Sequence, residues 1–346
     1  MKAMLFREFG GPEVLHFEDI ATPEPGPGEV LVKVHYVTVN VTLDVLLRSG
    51  RYYHRPPLPH ILGCDPVGEI VKAGKGVKKS LKPGTRVMVH VSIPSAQNKP
   101  GHEADDPGHS TMIGIHRWGA YAEYVCVPAT NAFALPKNLS DQDATVILRH
   151  LPTARHLLHG VAKLKRGEWV LVMGASGGLA SCCIQVAKIM GAKVIGAAGS
   201  DDRVQKGIEF GADYGINYRT HDLTEEVKKL TGGLGVHVVA ESVGDAELFP
   251  KALKSLRNRG RLVTAGAHAT GQATIDLRHF YLTRIRMMGE PGCDFPDIEW
   301  AIAQCKAGKI KPPLVERIMG LSEAAEAHRL IETRAVTGKL LLDATR

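Results

Sequence analysis

Hydrophobic and polar positions alternate in short runs over the first part of the chain. Between residues 1 and 36, apolar residues alternate with polar ones at 4–6, 15–17 and 29–34, and a proline- and glycine-rich stretch lies at 23–28. A period of two between such turn residues is typical of half-buried β-strands. The pattern therefore predicts an antiparallel, barrel-like β-region.

A different pattern begins at residue 168. The run 169–173 is apolar and rich in valine, and glycine follows it at once, which is typical of a buried parallel strand. Helical spacing over 181–190 ends at Gly191, and 194–198 is a second strand-like run. Strand, glycine-rich turn, helix and strand in this order predict one βαβ unit.

Helices and strands continue to alternate as far as residue 307. We expect, in chain order, helix 201–210, strand 214–218, helix 222–230, strand 236–241, helix 246–257, strand 261–266, strand 284–289 and helix 295–307. This alternation predicts an α/β domain with a doubly wound parallel sheet. A final helix at 322–333 and a strand at 338–343 are expected to fold back onto the N-terminal domain.

The change of pattern divides the chain into two domains. We place a β-rich domain at 1–130, completed by 310–346, and an α/β domain at 131–309. Residues 92–118 interrupt the first domain with a polar stretch rich in proline, glycine and histidine, which predicts an excursion loop. A chain of 346 residues is long enough for two such domains.

The glycine turn of the βαβ unit has the features of a phosphate site. A helix N-terminus offers free N–H groups to an anion, and a pyrophosphate approaches closely only where no Cβ intervenes. Gly174, Gly177 and Gly178 leave that space, Ser176 lies among them, and Ala180 stands where a third glycine is usual. Because the turn follows a strand and begins a helix, we predict a Rossmann dinucleotide-binding domain. The alternative is a tight turn without a ligand.

The end of the second strand of the unit bears on which dinucleotide binds. NAD sites place an acid there, which bonds the ribose 2′-hydroxyl. This chain has Gly199 and Ser200, with Arg203 one turn on, while Asp201 and Asp202 fall in the first turn of the next helix, where acids cap. A small neutral residue, a hydroxyl and a guanidinium suit a 2′-phosphate, so we predict NADPH as cofactor. Alternatively, Arg203 is a solvated surface arginine.

Composition and charge exclude several classes of partner. The net charge of +7 is spread along the chain without a long basic run, which argues against nucleic acid and agrees with an anionic cofactor. No apolar run is long enough to span a membrane, and we expect no signal peptide. The six cysteines include no C-x-x-C pair, so we expect free thiols and a cytoplasmic location.

Segments from one end of the chain to the other carry a family resemblance. They are GEVLVKV at 28–34, VNVTLDVLLRSGRY at 39–52, LPHILGCDPVGEI at 58–70, LKPGTRV at 81–87, GAYAEYVCVP at 119–128, the βαβ segment at 170–200, GADYGINYR at 211–219, GRLVTAGA at 260–267 and GKLLLD at 338–343. In these segments the chain resembles the medium-chain dehydrogenase/reductase superfamily, and most closely its zinc-free quinone oxidoreductase branch. The resemblance implies a GroES-like, β-rich catalytic domain beside the Rossmann domain.

Zinc separates the branches of that superfamily. Its alcohol dehydrogenases ligate a catalytic zinc, and at the matching positions this chain has Asn40, Cys64 and roughly Arg149 or His150. These residues do not supply three nitrogen or sulfur ligands for tetrahedral zinc. The structural zinc lobe of the superfamily falls at about 92–110, where this chain has no cysteine.

Histidines of the excursion loop are the remaining candidates for metal ligands. His102 lies in a Gly-His-Glu triplet, which is not where the superfamily places its ligand, and His109 and His116 follow it. Loop histidines without partners are more often solvated than metal-bound. We therefore predict no metal site.

The missing zinc ligands bear on the reaction, because zinc is the Lewis acid that stabilises an alkoxide. The resemblance implies an NADPH-dependent, metal-free oxidoreductase that delivers hydride to a quinone or an α,β-unsaturated carbonyl. It assigns Asn40 and Tyr52 to the nicotinamide site with Asp44 nearby, and Tyr52 matches a proton-donating tyrosine of related enoyl-thioester reductases. Alternatively, Asn40 caps a helix, Asp44 is structural and Tyr52 is a loop aromatic that packs on the cofactor.

The resemblance also assigns the other contacts with the dinucleotide, to the 2′-phosphate, the pyrophosphate, and the ribose with the nicotinamide. Lys339 reaches the cofactor from the returning strand, or is instead a solvated edge-strand lysine. In the order of the three groups, the contact residues are Ser200, Arg203 and Tyr218; Gly177, Gly178 and Leu179; and Ser242, Val243, Gly244, Ala265, Gly266 and Ala267.

The remaining expectations concern how the chain assembles and which other functions stay possible. Family members usually pair through the edge strand of the nucleotide domain, so we expect a homodimer through 284–289, acting on a small-molecule substrate. A zinc-less alcohol dehydrogenase-like enzyme, an enoyl-thioester reductase and a non-enzymatic NADPH-binding protein stay open as alternatives.

Overall fold

The computed structural model describes residues 1–93, 111–333, 335–336 and 338–346. It divides into two compact units: the first unit is Met1–Val146 with Leu314–Arg346, and the second unit is Ile147–Pro313. The first unit extends past residue 130, where the sequence placed its limit, because the strand Ala132–Ala134 pairs with the strand Arg86–Val89 of the same unit.

The strands and helices of the two units, numbered in chain order, have the following bounds. The strands are β1 (Lys2–Phe6), β2 (His16–Asp19), β3 (Glu29–Thr38), β4 (His60–Ile61), β5 (Val67–Ala73), β6 (Arg86–Val89), β7 (Ser92–Ile93), β8 (Thr111–Met112), β9 (Tyr124–Pro128), β10 (Ala132–Ala134), β11 (Trp169–Met173), β12 (Lys193–Ala198), β13 (Tyr214–Asn217), β14 (Val236–Glu241), β15 (Leu256–Thr264), β16 (Arg286–Gly289), β17 (Val315–Gly320) and β18 (Lys339–Asp343). The α-helices are α1 (Leu46–Arg48), α2 (Asp141–Arg155), α3 (Gly178–Ile189), α4 (Asp201–Glu209), α5 (Leu223–Leu230), α6 (Leu248–Lys254), α7 (Leu277–Leu282), α8 (Phe295–Lys306) and α9 (Ala324–Glu332). Wider π-turns lie at Val41–Val45 and His156–Val161.

The main sheet of the first unit has the strand order β10-β6-β5-β3-β18-β17, and β9 also pairs with β3. Along β3, Val30, Val32 and Val34 are fully buried and Lys33 is exposed, while Leu31 is also buried, so the predicted alternation holds only in part. The strand β18 pairs antiparallel with β3, with Leu341 opposite Thr38. The C-terminal segment therefore folds back onto the N-terminal domain, as predicted.

The second unit contains a parallel sheet with the order β13-β12-β11-β14-β15-β16. Residues 170–173 of β11 are fully buried, because helices cover both faces of such a sheet. Successive strands are added first on one side of β11 and then on the other, because β12 lies on one side of it and β14 on the other. This is the topological switch point at which doubly wound sheets bind ligands, and the predicted α/β fold class is confirmed.

Several element bounds differ from the prediction. The strand β15 begins at Leu256, because Leu256 pairs with Val236 ahead of a bulge, and helix α6 ends earlier in consequence. The sequence did not predict α7, although Asp276 caps it by accepting the N–H groups of Arg278 and His279. The excursion loop leaves and returns through β7 and β8, which pair with each other.

Two of the histidines that were considered as metal ligands belong to the excursion loop. His102 and His109 of the excursion loop lie outside the described residues. Among the helices in the described part of the chain, none is long and apolar enough to cross a membrane.

Candidate dinucleotide site and catalytic residues

The turn after β11 has the backbone geometry of an anion site. Gly174 has a φ of +70°, a conformation that favours glycine. Gly177 is the N-cap of α3, and its N–H donates to the Gly174 carbonyl at 2.7 Å. Ser176 and Leu179 are half-buried and Gly177 is exposed. The first turn of α3 therefore presents free N–H groups at the carboxyl edge of the sheet.

Three loops of the second unit that carry predicted cofactor contacts lie close together at one edge of the sheet. A Cβ on Gly174 would lie 3.3 Å from Cγ2 of Val243, and a Cβ on Gly244 would lie 2.6 Å from Cβ of Ala267. The loops after β11, β14 and β15 are thus adjacent. This edge carries Ser242 and Val243 after β14, and Ala265, Gly266 and Ala267 after β15.

A buried carboxylate fixes the loop after β14. Glu241 is 2% exposed, and its Oε1 accepts the N–H groups of Val243 at 2.8 Å and Gly244 at 3.1 Å. Burial raises the pKa of Glu241, and these two hydrogen bonds act in the opposite direction. The sequence reasoning did not single out Glu241, although an acid at the end of a predicted buried strand is unusual enough to have indicated a role.

The glycine that follows β12 lies close to a tyrosine hydroxyl and a guanidinium group. A Cβ on Gly199 would lie 3.2 Å from Oη of Tyr218 and 3.3 Å from Nε of Arg219. Burial raises the pKa of Tyr218, while the charges of Arg203 and Arg219 lower it, so both arginines act on this hydroxyl. The sequence reasoning missed Arg219, although it follows Tyr218 directly in the motif.

Asp201, the first acid after Ser200, is held by a hydrogen bond within the second unit. Ser200 is the N-cap of α4, as its extended backbone shows. Oδ1 of Asp201 accepts a hydrogen bond from the Asn217 amide at 2.8 Å, and the Asn217 oxygen accepts the Arg219 N–H at 3.0 Å. Asp201 therefore supports the segment that carries Tyr218 and Arg219.

In the first unit, Asn40 and Asp44 are in direct contact. The N–H groups of Asp44 and Val45 both donate to the Asn40 carbonyl, at 3.0 and 3.2 Å, which makes the turn a π-turn. The Asn40 N–H donates to Oδ2 of Asp44 at 2.8 Å, and both residues are buried. Asn40 occupies the N-cap position, but its amide donates to Oγ1 of Thr38 at 2.9 Å and makes no cap bond.

Tyr52 and Lys339 also belong to the first unit. Tyr52 is half-buried, packs against the core, and has its ring centroid 4.6 Å from that of Tyr53. Its N–H donates to the Leu46 carbonyl at 3.1 Å, which ties it to the helical segment that begins at Asn40. Lys339 is the half-buried first residue of β18.

Comparisons with known proteins identify the family. Family models match an alcohol dehydrogenase GroES-like domain at residues 26–137 and a zinc-binding dehydrogenase at residues 178–307. Human quinone oxidoreductase is 30% identical over 349 residues, covering 99% of this chain and 97% of that protein. The NAD-dependent alcohol dehydrogenase of Sulfolobus acidocaldarius is 32% identical over 364 residues and covers 100% of both chains. The structure of Escherichia coli quinone oxidoreductase complexed with NADPH has a TM-score of 0.80 and 28% identity, covering 99% of this chain and 100% of that one.

The chain belongs to the medium-chain dehydrogenase/reductase superfamily, in its quinone oxidoreductase branch, as the sequence predicted. Its relatives are oxidoreductases, and the family binds a nicotinamide cofactor. The glycine turn, the adjacent loops and the two arginines of the second unit fit such a cofactor.

The residues at the positions that match the superfamily's zinc ligands do not fit that metal. Asn40 offers an amide whose nitrogen donates to Thr38, and Cys64 is a fully buried thiol. One amide and one thiol do not supply the nitrogen and sulfur ligands that a tetrahedral zinc site requires. His116, another of the candidates, accepts the Met112 N–H at Nδ1, and its ring contacts that of His54 at a tilt of 34° with centroids 4.1 Å apart.

A separate cluster in the second unit has the composition of a metal site but is an ion-pair network. Ligand atoms of His156, Asp294 and Asp297 lie within 4.8 Å of one another. Asp297 already pairs with the Arg155 guanidinium and, at 2.8 Å, with Nδ1 of His156. The hydrogen bond to Asp297 raises the pKa of His156, so cations of the chain itself neutralise the carboxylate.

Proposed function

We propose that this protein is an NADPH-dependent, metal-free oxidoreductase that delivers hydride to a quinone or to the β-carbon of an α,β-unsaturated carbonyl. The observation that carries the proposal is the donor set of the first unit, where Asn40 and Cys64 occupy positions that zinc enzymes of the family use for ligands. Without a zinc site, an acceptor that spreads its developing charge is favoured over a simple alcohol. The similarity to quinone oxidoreductases supports the same class.

The preference for NADPH rests on the end of β12. The Tyr218 hydroxyl and Arg219 approach Gly199 closely, and the charge of Arg203 acts on the same hydroxyl. Asp201 is held by Asn217. A 2′-phosphate would be bound there by charge-assisted hydrogen bonds. The first turn of α3 would hold the pyrophosphate, and the loops after β14 and β15 would hold the ribose and nicotinamide.

The residues of the first unit supply the remaining chemistry. When bound, NADPH supplies the hydride. The Asn40 amide has a second N–H beyond the one that bonds Thr38, and this group would stabilise the acceptor oxygen as it gains charge. Tyr52 would donate the proton that completes the reduction. Asp44 holds the Asn40 backbone in place.

A zinc-less alcohol dehydrogenase is the second candidate, and the full-length similarity to the Sulfolobus acidocaldarius enzyme favours it. It predicts NADH or NAD⁺ as the better cofactor and an alcohol or simple aldehyde as substrate. A non-enzymatic NADPH-binding protein would bind the cofactor and turn nothing over.

We further propose a cytoplasmic homodimer. Strand β16 is the edge of the parallel sheet of the second unit, and α7 beside it in the chain exposes Leu277, Tyr281 and Leu282. An unpaired edge and exposed apolar side chains favour pairing with a second copy. None of the six cysteines forms a disulfide in the described structure, which agrees with a reducing compartment.

The experiment that tests the function is NADPH oxidation, with NADH in parallel, against 1,4-quinones, 2-alkenals, enones, enoyl-CoAs and simple aldehydes, with and without a chelator. We expect chelator-insensitive turnover with NADPH preferred and a quinone or enone as acceptor. Turnover that the chelator abolishes contradicts the metal-free assignment. NADH preference with simple aldehydes supports the second candidate, and tight NADPH binding without turnover supports the non-enzymatic one.

A further inference from the structure

A chain of hydrogen-bonded side chains runs through the interior of the first unit to Asp44. Nη1 of Arg48 donates to Nδ1 of His328 at 3.0 Å, so the neutral imidazole carries its proton on Nε2. Nε2 of His328 lies 3.2 Å from the Tyr121 hydroxyl and donates to it. Burial raises the pKa of this hydroxyl well above its ordinary value, and the charge of the Asp44 carboxylate and a hydrogen bond to it raise that pKa further. Donation therefore runs in one direction, from the guanidinium through the imidazole to the hydroxyl on which Asp44 acts.

The outer end of this chain is anchored by Arg48, which is only 1% exposed. Its Nη2 donates to Glu332 at 2.7 Å and its Nε to the Gly10 carbonyl at 3.2 Å. His328 and Glu332 lie one turn apart on α9 and thus share a face of that helix. An arginine does not release its proton in proteins, so the chain conveys orientation and charge and is not a path for protons.

The inner end of the chain joins two segments that carry candidate chemistry. Oδ2 of Asp44 accepts the Asn40 N–H at 2.8 Å, and Oδ1 accepts the Gly63 N–H at 3.2 Å. Cys64 follows Gly63 directly. A Cβ on Gly63 would lie 2.6 Å from Cδ1 of Tyr121, so Tyr121 occupies its place because residue 63 has no side chain.

We propose that Tyr121 and His328 are positioning residues, which fix the Asp44 carboxylate and, through it, the backbone at Asn40 and Gly63. The inference rests on the proposed function, in which the Asn40 amide stabilises the acceptor. A carboxylate that loses its hydroxyl partner is less constrained, and the Asn40 amide is then misplaced. Misplacement of an interacting group by about 1 Å can lower a rate by about 100-fold.

The experiment compares three variants of the chain and one control. Tyr121→Phe removes only the hydroxyl, His328→Leu removes both ring nitrogens, and His328→Gln keeps one acceptor and one donor. Tyr36→Phe is the matched control, because the Tyr36 hydroxyl bonds the Gln142 amide and not Asp44. Backbone hydrogen–deuterium exchange is measured in peptides that contain the Asn40 and Gly63 amides, and kcat and KM are measured for NADPH with the best acceptor.

We expect faster exchange at both amides in Tyr121→Phe and His328→Leu, with kcat lower by about 10- to 100-fold. The KM for NADPH should stay unchanged, because the residues proposed to bind the 2′-phosphate and the pyrophosphate belong to the second unit. His328→Gln should recover most of both effects, and Tyr36→Phe should resemble the wild type. Thermal unfolding of each variant shows whether a loss is local, and Tyr121→Phe remains decisive where a His328 variant fails to fold.

Unchanged exchange at both amides in Tyr121→Phe overturns the inference, whatever happens to the activity. A KM for NADPH that rises in proportion to the loss of kcat, or equal effects in His328→Gln and His328→Leu, also overturns it. A wild type without turnover contradicts the proposed function instead. The exchange measurement then still decides whether Tyr121 and His328 fix Asp44.

Discussion

The Tyr121 hydroxyl lies 3.2 Å from Nε2 of His328, a residue 207 positions further along the chain. The two side chains are fully buried and come from the two separate chain segments of the first unit, Tyr121 from Met1–Val146 and His328 from Leu314–Arg346. The returning segment therefore does more than add β17 and β18 to the sheet. It supplies a side chain to the hydrogen-bonded chain that ends on the candidate catalytic residues.

We predict that two buried histidines make the protein sensitive to acid. Burial lowers the pKa of His328 to about 3 and that of His60 to about 4, against 6.5 for an ordinary histidine. Both groups are neutral when folded and take up protons on unfolding, so their contribution to stability is present above pH 6.5 and is lost as the pH falls below it. Each contributes a slope of up to about 1.4 kcal/mol per pH unit.

Urea unfolding of the wild type and of His60→Gln at pH 7, 6 and 5 measures that slope. We expect the wild type to lose stability more steeply towards pH 5 than the variant does. The exposed His16 provides the control, since His16→Gln should keep the wild-type slope. Parallel curves for the wild type and His60→Gln would show that His60 is not responsible.

We predict that Gly63→Ala is much more destabilising than Gly84→Ala. Both glycines have a positive φ, +99° and +86°, so alanine is strained at either position. At Gly63 the added Cβ also meets Tyr121, with its backbone nitrogen at 2.8 Å, whereas at Gly84 there is open space. We expect a loss of roughly 1 kcal/mol at Gly84 and at least about 3 kcal/mol at Gly63 in chemical unfolding. Equal losses would mean that the contact with Tyr121 relaxes without cost.

Local patterns account for what the sequence predicted well. The strand at 169–173 and the strand at 236–241 have the predicted bounds, because each is a short apolar run between turn residues. Glycine positions in the turn after β11 identified the candidate phosphate site for the same reason. Hydrophobic periodicity and turn residues are features of a few neighbouring positions, so they can be predicted from the sequence directly.

Long-range contacts account for what the sequence did not predict. Nothing in the local pattern at Tyr121 or His328 indicates a partner, because the contact depends on how the C-terminal segment packs. Arg219 was missed since its relation to Gly199 arises from the pairing of β12 with β13. The π-turn at Asn40 inserts one residue into a helical turn, and neither helix propensity nor hydrophobic periodicity predicts such an insertion.

We predict that the His156–Asp297 pair stabilises the second unit most at mildly acidic pH. The hydrogen bond to Asp297 raises the pKa of His156 above 6.5. This stabilisation is fully present below pH 6.5 and is lost as the pH rises through the folded-state pKa. His156→Gln should therefore be less stable than the wild type by about 1–2 kcal/mol at pH 6, and the difference should shrink by pH 9.

Thermal unfolding across that pH range tests the pair. His159→Gln is the matched control, because His159 is an exposed histidine of the same helical segment. A constant difference between the wild type and His156→Gln from pH 6 to pH 9 would show that the imidazole contributes by packing and not by its charge.

We predict that Leu282→Glu abolishes the homodimer. Leu282 is 64% exposed on α7, near the edge strand through which we propose that two copies pair. A carboxylate buried in an apolar interface carries a large desolvation cost. Leu234→Glu is the control, since Leu234 is also 64% exposed but lies between α5 and β14. Light scattering after size exclusion should give a dimer for the wild type and the control, and a monomer for Leu282→Glu; a monomeric wild type would contradict the proposal.

We predict that Arg219→Gln converts a preference for NADPH into near-equal binding of NADPH and NADH. Arg219 and Arg203 both act on the Tyr218 hydroxyl beside Gly199, and each would contribute a charge-assisted bond to a 2′-phosphate. Loss of one such bond costs about 1.5–3 kcal/mol, which is roughly a 10- to 100-fold weaker Kd for NADPH. NADH has no 2′-phosphate, so its Kd should stay unchanged. Binding is measured by the fluorescence of each dinucleotide, which requires no acceptor and so does not depend on the substrate assignment. Lys228→Gln removes an exposed positive charge of the same unit and should leave both Kd values unchanged. Equal weakening of NADPH and NADH in Arg219→Gln would show that Arg219 supports the fold of the site and does not read the 2′-phosphate.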